Sequence, residues 1–576
     1  MKLNDFCIAM AVSIAITASG ATYRITAPNG VGDVTALTNA VAQIDAAATS
    51  GTRLLLEPGV YNLAGTSTGA GGAHIRFDKA HTDLVIAGLG ATPGDTILLG
   101  GGAADKKRIL HVWNTSAKVS ATISNLTVTG AYTTTDAAGI YGSQYLVLRD
   151  LVISNNVANG LGAGCLRGKA YNCLFANNTA TGKNGGGFWS EDAGNGAWNC
   201  TFIGNAAPAG KEGGGLYCTG AGSEVIGCTF IGNTGGSGIG ARVGGDGSVV
   251  SNCIFKNNAP TAAGSSTKFG GGLNISSGKC EDCVFEGNAA DRGGGAYVES
   301  GAVTIRNCRF ERNRQTGWAS GAALFVNASS PLALVSNCVF NANEANVFSS
   351  RTIISNANLV DCVITNHAVA SGYVVAGSNM TRCLFAHNST SSANAQHLDI
   401  GTIYGGTPVS RTNVNCVIAY NHSYAAGAIT DGKKVVNCTY YGNVCDIGNN
   451  GNSAIIRDGV VWNTLLAGNT IGGNPMDVSR PYLTNCVFTA SAIAVNANGL
   501  SGCKQVADVK FQSSQDGDEF DIGYSSPARD AGVWQDWMAP LLGGVDFAGR
   551  PRVKFGSIDA GALECQNRLG FVIEVK

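Results

Sequence analysis

The sequence predicts an all-β chain whose short strands stack as a parallel solenoid. Three observations lead to this fold class: a cysteine-centred motif that recurs every 21–33 residues, an alternation of inward and outward positions within it, and glycine-rich turns between motifs. A repeat of roughly 20–50 residues is typical of solenoids, and the alternation has the period of two that a strand imposes. The 3.6-residue period of helical repeats is absent from the sequence.

The composition agrees with this architecture. The 576 residues include 81 glycines, about double the usual ~7%, and only 13% are charged. Hydrophobic residues, at 44%, are too frequent for a disordered chain. The 38 basic and 39 acidic side chains give a net charge of −1, which argues against nucleic acid as a partner. With 12 prolines and no G-X-Y period, a collagen-like helix is excluded.

Twelve of the 19 cysteines occupy one place in a segment that reads N-C-x-F-x-x-N or close to it. They are Cys173, Cys200, Cys228, Cys253, Cys283, Cys308, Cys338, Cys362, Cys383, Cys416, Cys438 and Cys486. Cys and Phe lie two residues apart, so both point to the same side of a strand. Stacked coils about 4.8 Å apart would align these thiols in an interior column, which we favour over metal ligation or a run of disulfides. Disulfides among Cys165, Cys218, Cys445, Cys503 and Cys565 are left open.

An asparagine follows the Phe by three residues in most units, as Asn205 follows Phe202. The strand must turn there, and stacked amides in register can hydrogen-bond along a ladder. Glycine-rich turns such as Gly213–Gly215 come next, and each leads into another strand. The pattern predicts two or three strands per coil and about thirteen or more coils, roughly 60 Å or longer at ~4.8 Å per coil.

Residues 1–21 are predicted to be a secretory signal peptide. Lys2 precedes an apolar run from Cys7 to Ile16, and small residues follow up to Ala21. A basic start, a short apolar core and small residues near the cleavage site are the features of such a signal. Later stretches fall short of the ~18–20 apolar residues of a membrane helix. We therefore expect an exported protein without a membrane-spanning helix.

Three parts of the sequence resemble known families. The helix expected at Asp33–Val41 and the strand Arg53–Tyr61, which ends P-G-x-Y, are similar to the N-terminal start of pectate-lyase-like right-handed β-helices. The F-x-x-N units with their G-G-hydrophobic turns resemble the repeats of polymorphic outer-membrane proteins. The segments Ser526–Gly532, Asp546–Pro551 and Asp559–Glu564 resemble the choice-of-anchor module of bacterial surface proteins. These resemblances imply a right-handed parallel β-helix on an exported bacterial protein, secreted or at the cell surface.

Four parts of the chain follow from these observations. We predict a signal peptide over 1–21, an N-terminal cap with the first coils over 22–120, a repetitive β-helix over 121–500 and a choice-of-anchor-like module over 501–576. Neither an anchor helix nor a sortase-type motif is visible after Glu564, so attachment or release of the protein is left open.

The strands that follow the Gly turns predict an exposed binding face. Phe188, Leu216 and their counterparts point inward, so their neighbours point outward and stack. This outward column consists of Trp189, Tyr217, Arg242, Asn274, Tyr297 and Phe325. Aromatic rings flanked by polar side chains suit the apolar faces and hydroxyls of sugar rings. The alternative is that loops cover these rings, or that the rings pair between coils and stabilise the sheet.

A second column of candidate residues precedes the Gly turns. Lys183, Lys211 and Lys268 each stand two residues before a Gly triplet. Stacked cations there could hold uronic-acid or sulfated glycans. Because Glu212 and Asp291 lie beside them, a solvated loop of mixed charge is the favoured alternative.

Metal and cofactor sites are only weakly indicated. Three histidines fall in the turns of neighbouring units: His367, His387 and His422. We interpret them as turn residues rather than as a metal site. Cys280 and Cys283 form a C-x-x-C, but Cys283 belongs to the cysteine column. No cofactor is expected, although Ca²⁺ could bind the acidic segment Asp516–Asp521.

Two functions from different classes fit these observations. The first is a structural and adhesive protein, expected to be a monomer, that binds a polysaccharide or cell-surface glycan along the outward column. The second is a polysaccharide lyase or glycoside hydrolase acting in the same groove. A lyase needs convergent carboxylates for Ca²⁺ with an Arg or Lys base, and a hydrolase needs paired carboxylates. The acidic residues are scattered singly, so a cluster of three or more near Arg or Lys in the structure would favour the enzyme.

Overall fold

The computed structural model describes residues 20–66, 72–116, 118–261, 268–317, 320–327, 331–345, 351–370, 372–390, 398–401, 411–424, 427–446, 453–475, 478–489, 497–512, 520–553 and 557–565. Residues 1–19 of the predicted signal peptide lie outside this set. Within it, no helix has the length and apolar character needed to cross a membrane.

The described chain winds into a parallel β-helix, and each regular coil gives one strand to each of three sheets, named here faces A, B and C. Face A contains Ala73–Phe77, Arg108–Val112, Ile140–Tyr141, Cys165–Leu166, Phe188–Ser190, Leu216–Cys218, Ala241–Val243, Leu273–Ile275, Ala296–Val298, Leu324–Val326, Arg351–Ser355, Gly372–Ala376, Asp399–Ile400 and Val478–Ser479. Face B contains Thr22–Ile25, Arg53–Leu56, His81–Gly88, Val119–Ser124, Leu146–Arg149, Lys169–Tyr171, Gly196–Trp198, Glu224–Ile226, Val249–Ser251, Lys279–Glu281, Thr304–Arg306, Ala333–Ser336, Ala357–Val360, Asn379–Thr381, Thr412–Val414, Tyr482–Thr484 and Gly499–Ser501. Two long strands, Ala428–Val436 and Ala454–Trp462, run through both faces.

Face C contains Gly59–Asn62, Thr96–Leu99, Thr127–Thr129, Val152–Ser154, Leu174–Ala176, Thr201–Ile203, Thr229–Ile231, Ile254–Lys256, Val284–Glu286, Arg309–Glu311, Val339–Asn341, Val363–Thr365, Leu384–Ala386, Val417–Ala419, Thr439–Tyr441, Leu465–Ala467, Val487–Phe488 and Lys504–Gln505. Shorter strands outside the faces are Tyr132–Thr133, Val157–Ala158, Thr179–Ala180, Thr234–Gly235, Ala259–Pro260, Ala289–Ala290, Arg314–Gln315, Ala368–Val369, Ser389–Thr390, His422–Ser423, Val444–Cys445, Thr470–Ile471, Asn474–Pro475, Phe511–Gln512 and Asp521–Ile522. The α-helices are Val34–Ala47, Gly102–Asp105 and Ala539–Leu542, and the 3₁₀ helices are Pro28–Gly30, Pro93–Asp95 and Asp536–Met538. The predicted all-β solenoid is confirmed, with three strands in a regular coil.

An α-helix covers the N-terminal end of the β-helix, as predicted. The α-helix Val34–Ala47 begins after Asp33, whose carboxylate accepts a hydrogen bond of 2.8 Å from the Ala36 N–H. Its buried side chains Leu37, Val41 and Ile44 join the interior of the first coils. The apolar end of the solenoid is thereby covered.

Identical side chains stack along the interior. Each motif cysteine is buried, and the Cys173 N–H, for example, points at the Cys200 Sγ at 3.4 Å. Seven phenylalanine rings lie nearly parallel, with adjacent centroids 4.6–4.9 Å apart: Phe175, Phe202, Phe230, Phe255, Phe285, Phe310 and Phe340. The predicted column of free thiols is confirmed. In the described part of the chain no disulfide joins the cysteines from Cys165 to Cys565, so those that the sequence left open are not formed.

Two positions of the repeated motif adopt a left-handed backbone conformation. One precedes the motif cysteine, as at Asn199 with φ 53°, and the other precedes the second asparagine, as at Asn177 with φ 54°. Asn, Asp and Gly reach this conformation at the lowest cost. The first Asn of the motif is therefore selected for backbone geometry, a role that the spacing alone did not indicate.

The second asparagine of the motif forms the predicted amide ladder. Its members are Asn156, Asn178, Asn205, Asn233, Asn258, Asn288, Asn313, Asn343, Asn388, Asn421, Asn443 and Asn469, and all are buried. The Asn205 Nδ2 donates to Asn233 Oδ1 at 3.1 Å and to the Phe175 carbonyl at 2.8 Å. Asn233 Oδ1 also accepts from the Asn205 backbone N–H. Each amide therefore satisfies two buried backbone groups of the preceding coil and bonds to the amide of the following one.

His367 replaces asparagine at one step of this ladder. Its Nε2 lies 3.2 Å from Asn343 Nδ2, and its Nδ1 lies 2.9 Å from Asn388 Oδ1. These contacts suit a neutral ring that accepts at Nε2 and donates at Nδ1. Burial lowers the pKa of His367 to about 4, which keeps the ring neutral.

The C-terminal segment packs on the outside of face C. Outward residues such as Ile254 and Val339 are exposed in earlier coils, whereas Val417, Leu465 and Val487 are buried. Residues 520–553 and 557–565 supply the cover. Within the cover, the buried Arg552 guanidinium donates to Glu564, to the Ala562 carbonyl and to Asn415 Oδ1 of the solenoid.

Asn258→Leu should lower the free energy of unfolding by about 3 kcal/mol, because it leaves several buried ladder groups without partners. The measurement is urea unfolding followed by circular dichroism. Asn257→Gly is the matched control: Asn257 is exposed and left-handed, so glycine should change stability by less than about 0.5 kcal/mol. Equal losses in the two variants would contradict the ladder's role.

His367→Asn should restore the ladder and change the pH dependence of stability. The folded pKa of His367, about 4, lies below the unfolded value, so protons bind preferentially to the unfolded chain between about pH 6.5 and pH 4. Wild-type stability should therefore fall as the pH drops through this window. The variant should lack this loss. The difference in free energy of unfolding between variant and wild type should therefore shift in favour of the variant by up to about 3 kcal/mol from pH 7 to pH 4. Parallel pH curves for the two proteins would refute this assignment.

Candidate functional site

The outward side chains of face A are aligned in register across the coils. Trp189, Tyr217 and Arg242 are paired in successive strands, and Asn274, Tyr297 and Phe325 continue the row. The Trp189 and Tyr217 rings stack at 5.9 Å, and the Tyr297 and Phe325 rings stack at 5.7 Å. The predicted column thus exists as a continuous row.

Its predicted exposure is wrong for half of its members. Trp189, Asn274 and Tyr297 are at most 6% exposed, whereas Tyr217, Arg242 and Phe325 are half-buried. The Gly turns run directly against the column: a Cβ on Gly213, whose φ is +66°, would lie 2.7 Å from the Tyr217 Cβ. Residues before these turns add further cover, as Phe269 does by stacking on Tyr297 at 4.6 Å. Turn and neighbouring side chains therefore cover much of the column.

Arg242 is the centre of a charged cluster within the column. Its guanidinium lies 3.0 Å from Glu299 and 3.8 Å from Glu212, and it donates to Asn274 Oδ1 at 3.3 Å. Burial raises the pKa of Glu212. Two carboxylates surround this cation, fewer than the three that would favour an enzyme.

The three candidate lysines do not form a column. Lys183 and Lys211 are exposed, and Lys183 lies 3.7 Å from Asp136, but Lys268 is buried. The coil between Lys211 and Lys268 has no lysine at this place. Its Gly236 N–H donates to the Lys211 carbonyl, so the row of cations is interrupted. The sequence could not show this, because the loops before the Gly triplets differ in length.

The predicted turn histidines do not meet. His367 belongs to the amide ladder, His387 stacks on Tyr420 at 5.3 Å, and His422 lies 3.2 Å from Asp446. Among the described residues, one group could hold a metal through three side chains: Cys280, Cys283 and Cys308, all buried thiols. Asp516–Glu519 of the proposed Ca²⁺ segment lie outside the described residues, and the Asp521 carboxylate is paired with Arg550 at 2.6 Å.

An open cleft of about 410 Å³ lies where faces A and B meet, at the N-terminal end of the aromatic column. The turns between strands of the two faces build it, together with the start of a face B strand. Its lining residues are Trp113, Asn114, Thr115, Ser116, Lys118, Val119, Ser143, Gln144, Tyr145, Arg167 and Asp192. This cleft joins the column directly, because Arg167 follows Leu166 and Leu166 is the register neighbour of Trp189.

Aromatic rings and cations converge in the cleft. Tyr145 is 43% exposed, and the Lys118 ammonium lies 4.5 Å from its ring centre. The Arg167 guanidinium lies 5.9 Å from the Trp113 ring and 3.5 Å from Asp192. Among the described lining residues, two cations therefore oppose a single carboxylate.

Buried groups support the cleft from below. His111 stacks on Tyr141 at 5.1 Å, and Tyr141 contacts Trp113 at 5.4 Å. Burial and the nearby Arg108 lower the pKa of His111 to about 4, so its ring is neutral near pH 7. This stack fixes the Trp113 ring at the edge of the cleft.

The sequence reasoning missed these cleft residues. Trp113 and Tyr145 lie in turns outside the repeated motif, so strand alternation gave no signal for them. Their positions within four residues of the end of a face A strand, in successive coils, could have indicated that they stack at one corner. Tyr141 extends the outward column towards the cleft, because it pairs in register with Leu166.

Comparison with known proteins agrees with the fold. Residues 108–279 and 214–390 match the family model described as right handed beta helix region. The fold is a right-handed parallel β-helix. No curated protein matches the sequence.

Several solved structures are similar at low identity. They include ORF18 of Geobacillus virus E2 (11% identity, TM-score 0.22, 60% of this chain and 56% of that chain), pectate lyase Pel9A (12%, 0.17, 95% and 97%) and a PL6 family polysaccharide lyase from Pseudopedobacter saltans (10%, 0.24, 89% and 99%). The chain spans little more than half the length of the virus protein. These likenesses carry no argument about function.

Trp189→Ala should lower stability by about 3 kcal/mol, because the ring is buried against Leu166 and Tyr217. Thermal unfolding is the measurement. Tyr145→Ala is the control, and the loss of this exposed ring should cost less than about 0.5 kcal/mol. A Trp189 variant as stable as wild type would contradict the burial of the ring and would favour the exposed platform that the sequence predicted.

Proposed function

We propose that this chain is a secreted or surface-displayed structural β-helix that binds an acidic polysaccharide in the cleft around Trp113 and Tyr145. The observation that carries the proposal is the meeting of two aromatic rings and two cations in one open cleft of about 410 Å³. The cleft replaces the covered part of face A as the principal binding surface.

The aromatic side chains suit sugar rings. The exposed Tyr145 ring offers an apolar face to a pyranose, and Trp113 offers a second one across the cleft. Hydroxyl and amide groups of Ser116, Asn114 and Gln144 line the same space. Such an apolar platform with a few polar groups is typical of small-ligand sites.

The charges favour an acidic glycan. Lys118 and Arg167 contribute two positive charges, and Asp192 partly offsets one of them. A guanidinium binds a carboxylate or sulfate with two parallel hydrogen bonds. A uronic-acid or sulfated polysaccharide fits this arrangement better than a neutral one.

The half-buried part of face A would extend the binding surface along the rod. Tyr217, Arg242 and Phe325 present partial surfaces in the same row as the cleft. A long chain could therefore contact several coils, and exposed Lys183 and Lys211 lie on the neighbouring loops. Buried Trp189, Asn274, Tyr297 and Lys268 support this surface rather than touch the ligand.

The proposed context is extracellular. The basic and apolar start of the sequence and the choice-of-anchor-like pattern near the C-terminus support export and display on a cell surface. The C-terminal segment packs on coils farther along the rod, and none of its described residues lines the cleft. A monomeric rod attached or released through its C-terminal part would present the cleft to solvent.

Binding is tested with the full chain and a panel of polygalacturonate, alginate, a sulfated glycosaminoglycan and neutral xylan, by titration calorimetry at low and high salt. Acidic glycans should bind and xylan should not. Lys118→Gln and Tyr145→Ala should each weaken binding about tenfold, the equivalent of about 1.4 kcal/mol. Added salt should weaken binding to the wild type.

Lys256→Gln and Tyr482→Ala are the matched controls, since both residues are exposed on other parts of the rod and should leave affinity unchanged. Equal loss in the controls, or equal binding of xylan, would contradict the proposal. Mass spectrometry of the soluble products tests the alternative, because unsaturated or hydrolysed oligosaccharides would make the chain an enzyme.

A further inference from the structure

Apart from the asparagine ladder, the inward columns of faces A and B that run through Ile86 and Leu110 are apolar except in one group of coils. From Ile86 to Leu483, the inward column of face B consists of Ile, Leu, Ala, Val, Cys and Met side chains, with Asn413 as the exception. The inward column of face A is interrupted nearby by Asp399 and Thr430. Tyr440 occupies the place that Phe has in earlier coils, and all four residues are buried.

Lys433 brings its amine into the centre of this polar group. Its side chain is inaccessible to solvent, and its Nζ donates to Asp399 Oδ1 at 2.5 Å, to Asn413 Oδ1 at 3.1 Å and to the Ser378 carbonyl at 3.0 Å. The Asn413 Nδ2 donates to the other oxygen of Asp399 at 2.7 Å. An amine, a carboxamide and a carboxylate therefore form a closed triangle.

Stability alone does not account for this arrangement. A buried ion pair loses about as much free energy by desolvation as it gains by attraction, and apolar residues of similar size are often as stable or more stable. The coils on either side of Asn413 carry Met380 and Val435 at its position, and Val375 precedes Asp399 in the face A column. The triangle instead has the groups that amide exchange requires: a nucleophile, an acyl group and a proton carrier in contact with both.

We propose that Lys433 and Asn413 form an intramolecular isopeptide bond, with Asp399 as the catalytic acid and base. The bond would join Asn413, on face B, to Lys433, which lies in the next coil where the strand Ala428–Val436 passes from face A to face B. It would covalently tie two successive coils of the rod.

The reaction balances within these three side chains. The Asp399 carboxylate takes a proton from the Lys433 ammonium along their hydrogen bond, and the neutral amine attacks Cγ of Asn413. Asp399 then returns a proton to Nδ2, while the amine loses its second proton to the same carboxylate. The Cγ–Nδ2 bond breaks, the Cγ–Nζ bond remains, and ammonia leaves and takes up the remaining proton. No oxidant, reductant or cofactor takes part.

The surroundings favour each step. Burial raises the pKa of Asp399, which favours the protonated carboxyl group formed in the first step. Tyr440 packs beside the triangle and donates to Thr430 Oγ1 at 2.9 Å, and it helps to exclude water that would hydrolyse the acyl group. The buried Cys438 thiol adds to the enclosure and donates to the Asn413 carbonyl at 3.4 Å.

Peptide mass spectrometry of the purified full chain tests the bond. Trypsin should cleave after Arg411 but not after an acylated Lys433, so the expected peptide is 412–434, about 17 Da lighter than its sequence by the loss of one ammonia. Lys433→Arg and Asp399→Ala should show the unmodified mass, with circular dichroism to confirm that both variants fold. Lys434→Gln, at the neighbouring half-buried amine that lies over the Trp537 ring, is the matched control and should keep the loss of ammonia in a longer peptide.

Wild-type protein is the primary sample, so the result does not depend on the folding of a variant. An unmodified wild-type peptide would overturn the proposal. A loss of about 18 Da, with peptide 412–434 linked to the peptide that contains Asp399, would overturn it in favour of an Asp399–Lys433 bond with loss of water. Full cross-linking in Asp399→Ala would overturn the role assigned to Asp399.

Discussion

In-register stacking of identical coils is the constraint on which the rest of the structure depends. Each coil has no closed core of its own, so its inward side chains must meet equal side chains in the coils above and below. The asparagine ladder makes this register specific, because each amide donates to one neighbour and accepts from the other while it also binds buried backbone groups. A shift of one residue in any coil would break these bonds and turn the Phe and Cys columns outward.

The same constraint decides which parts of the structure the sequence can predict. The Cys, Phe and second Asn positions were predictable because stacking repeats them at a fixed spacing, and strand alternation correctly placed Trp189 and Tyr217 in one outward row. Their burial was not predictable, since it depends on how closely the turn at Gly213 folds back on the strand. The cleft at Trp113 and Tyr145 lies in turns that do not repeat, where register gives no information. The interior triangle was not predictable for a related reason. Asp399, Asn413 and Lys433 belong to no repeated motif, and up to 34 positions separate them in the sequence.

Function is therefore expected where the repeat is broken. Regular coils serve as a scaffold, with about eighty ångströms of stacked strands on face C at ~4.8 Å per coil. One departure, at the corner of faces A and B, provides rings and cations for a ligand. Another, inside coils 398–440, provides reactive groups in a dry interior. The proposed binding corner and the proposed covalent tie would together suit a rod that carries load between a surface and a glycan.

Hydrogen–deuterium exchange with and without a saturating acidic polysaccharide tests this division most directly. We predict new protection in the turns at 113–118 and 143–145 and in those at Arg167 and Asp192, and unchanged, already slow exchange in the strands of face C that carry the ladder. Protection spread evenly over all coils, or confined to face C, would contradict the account that ligand binding resides where the repeat is broken.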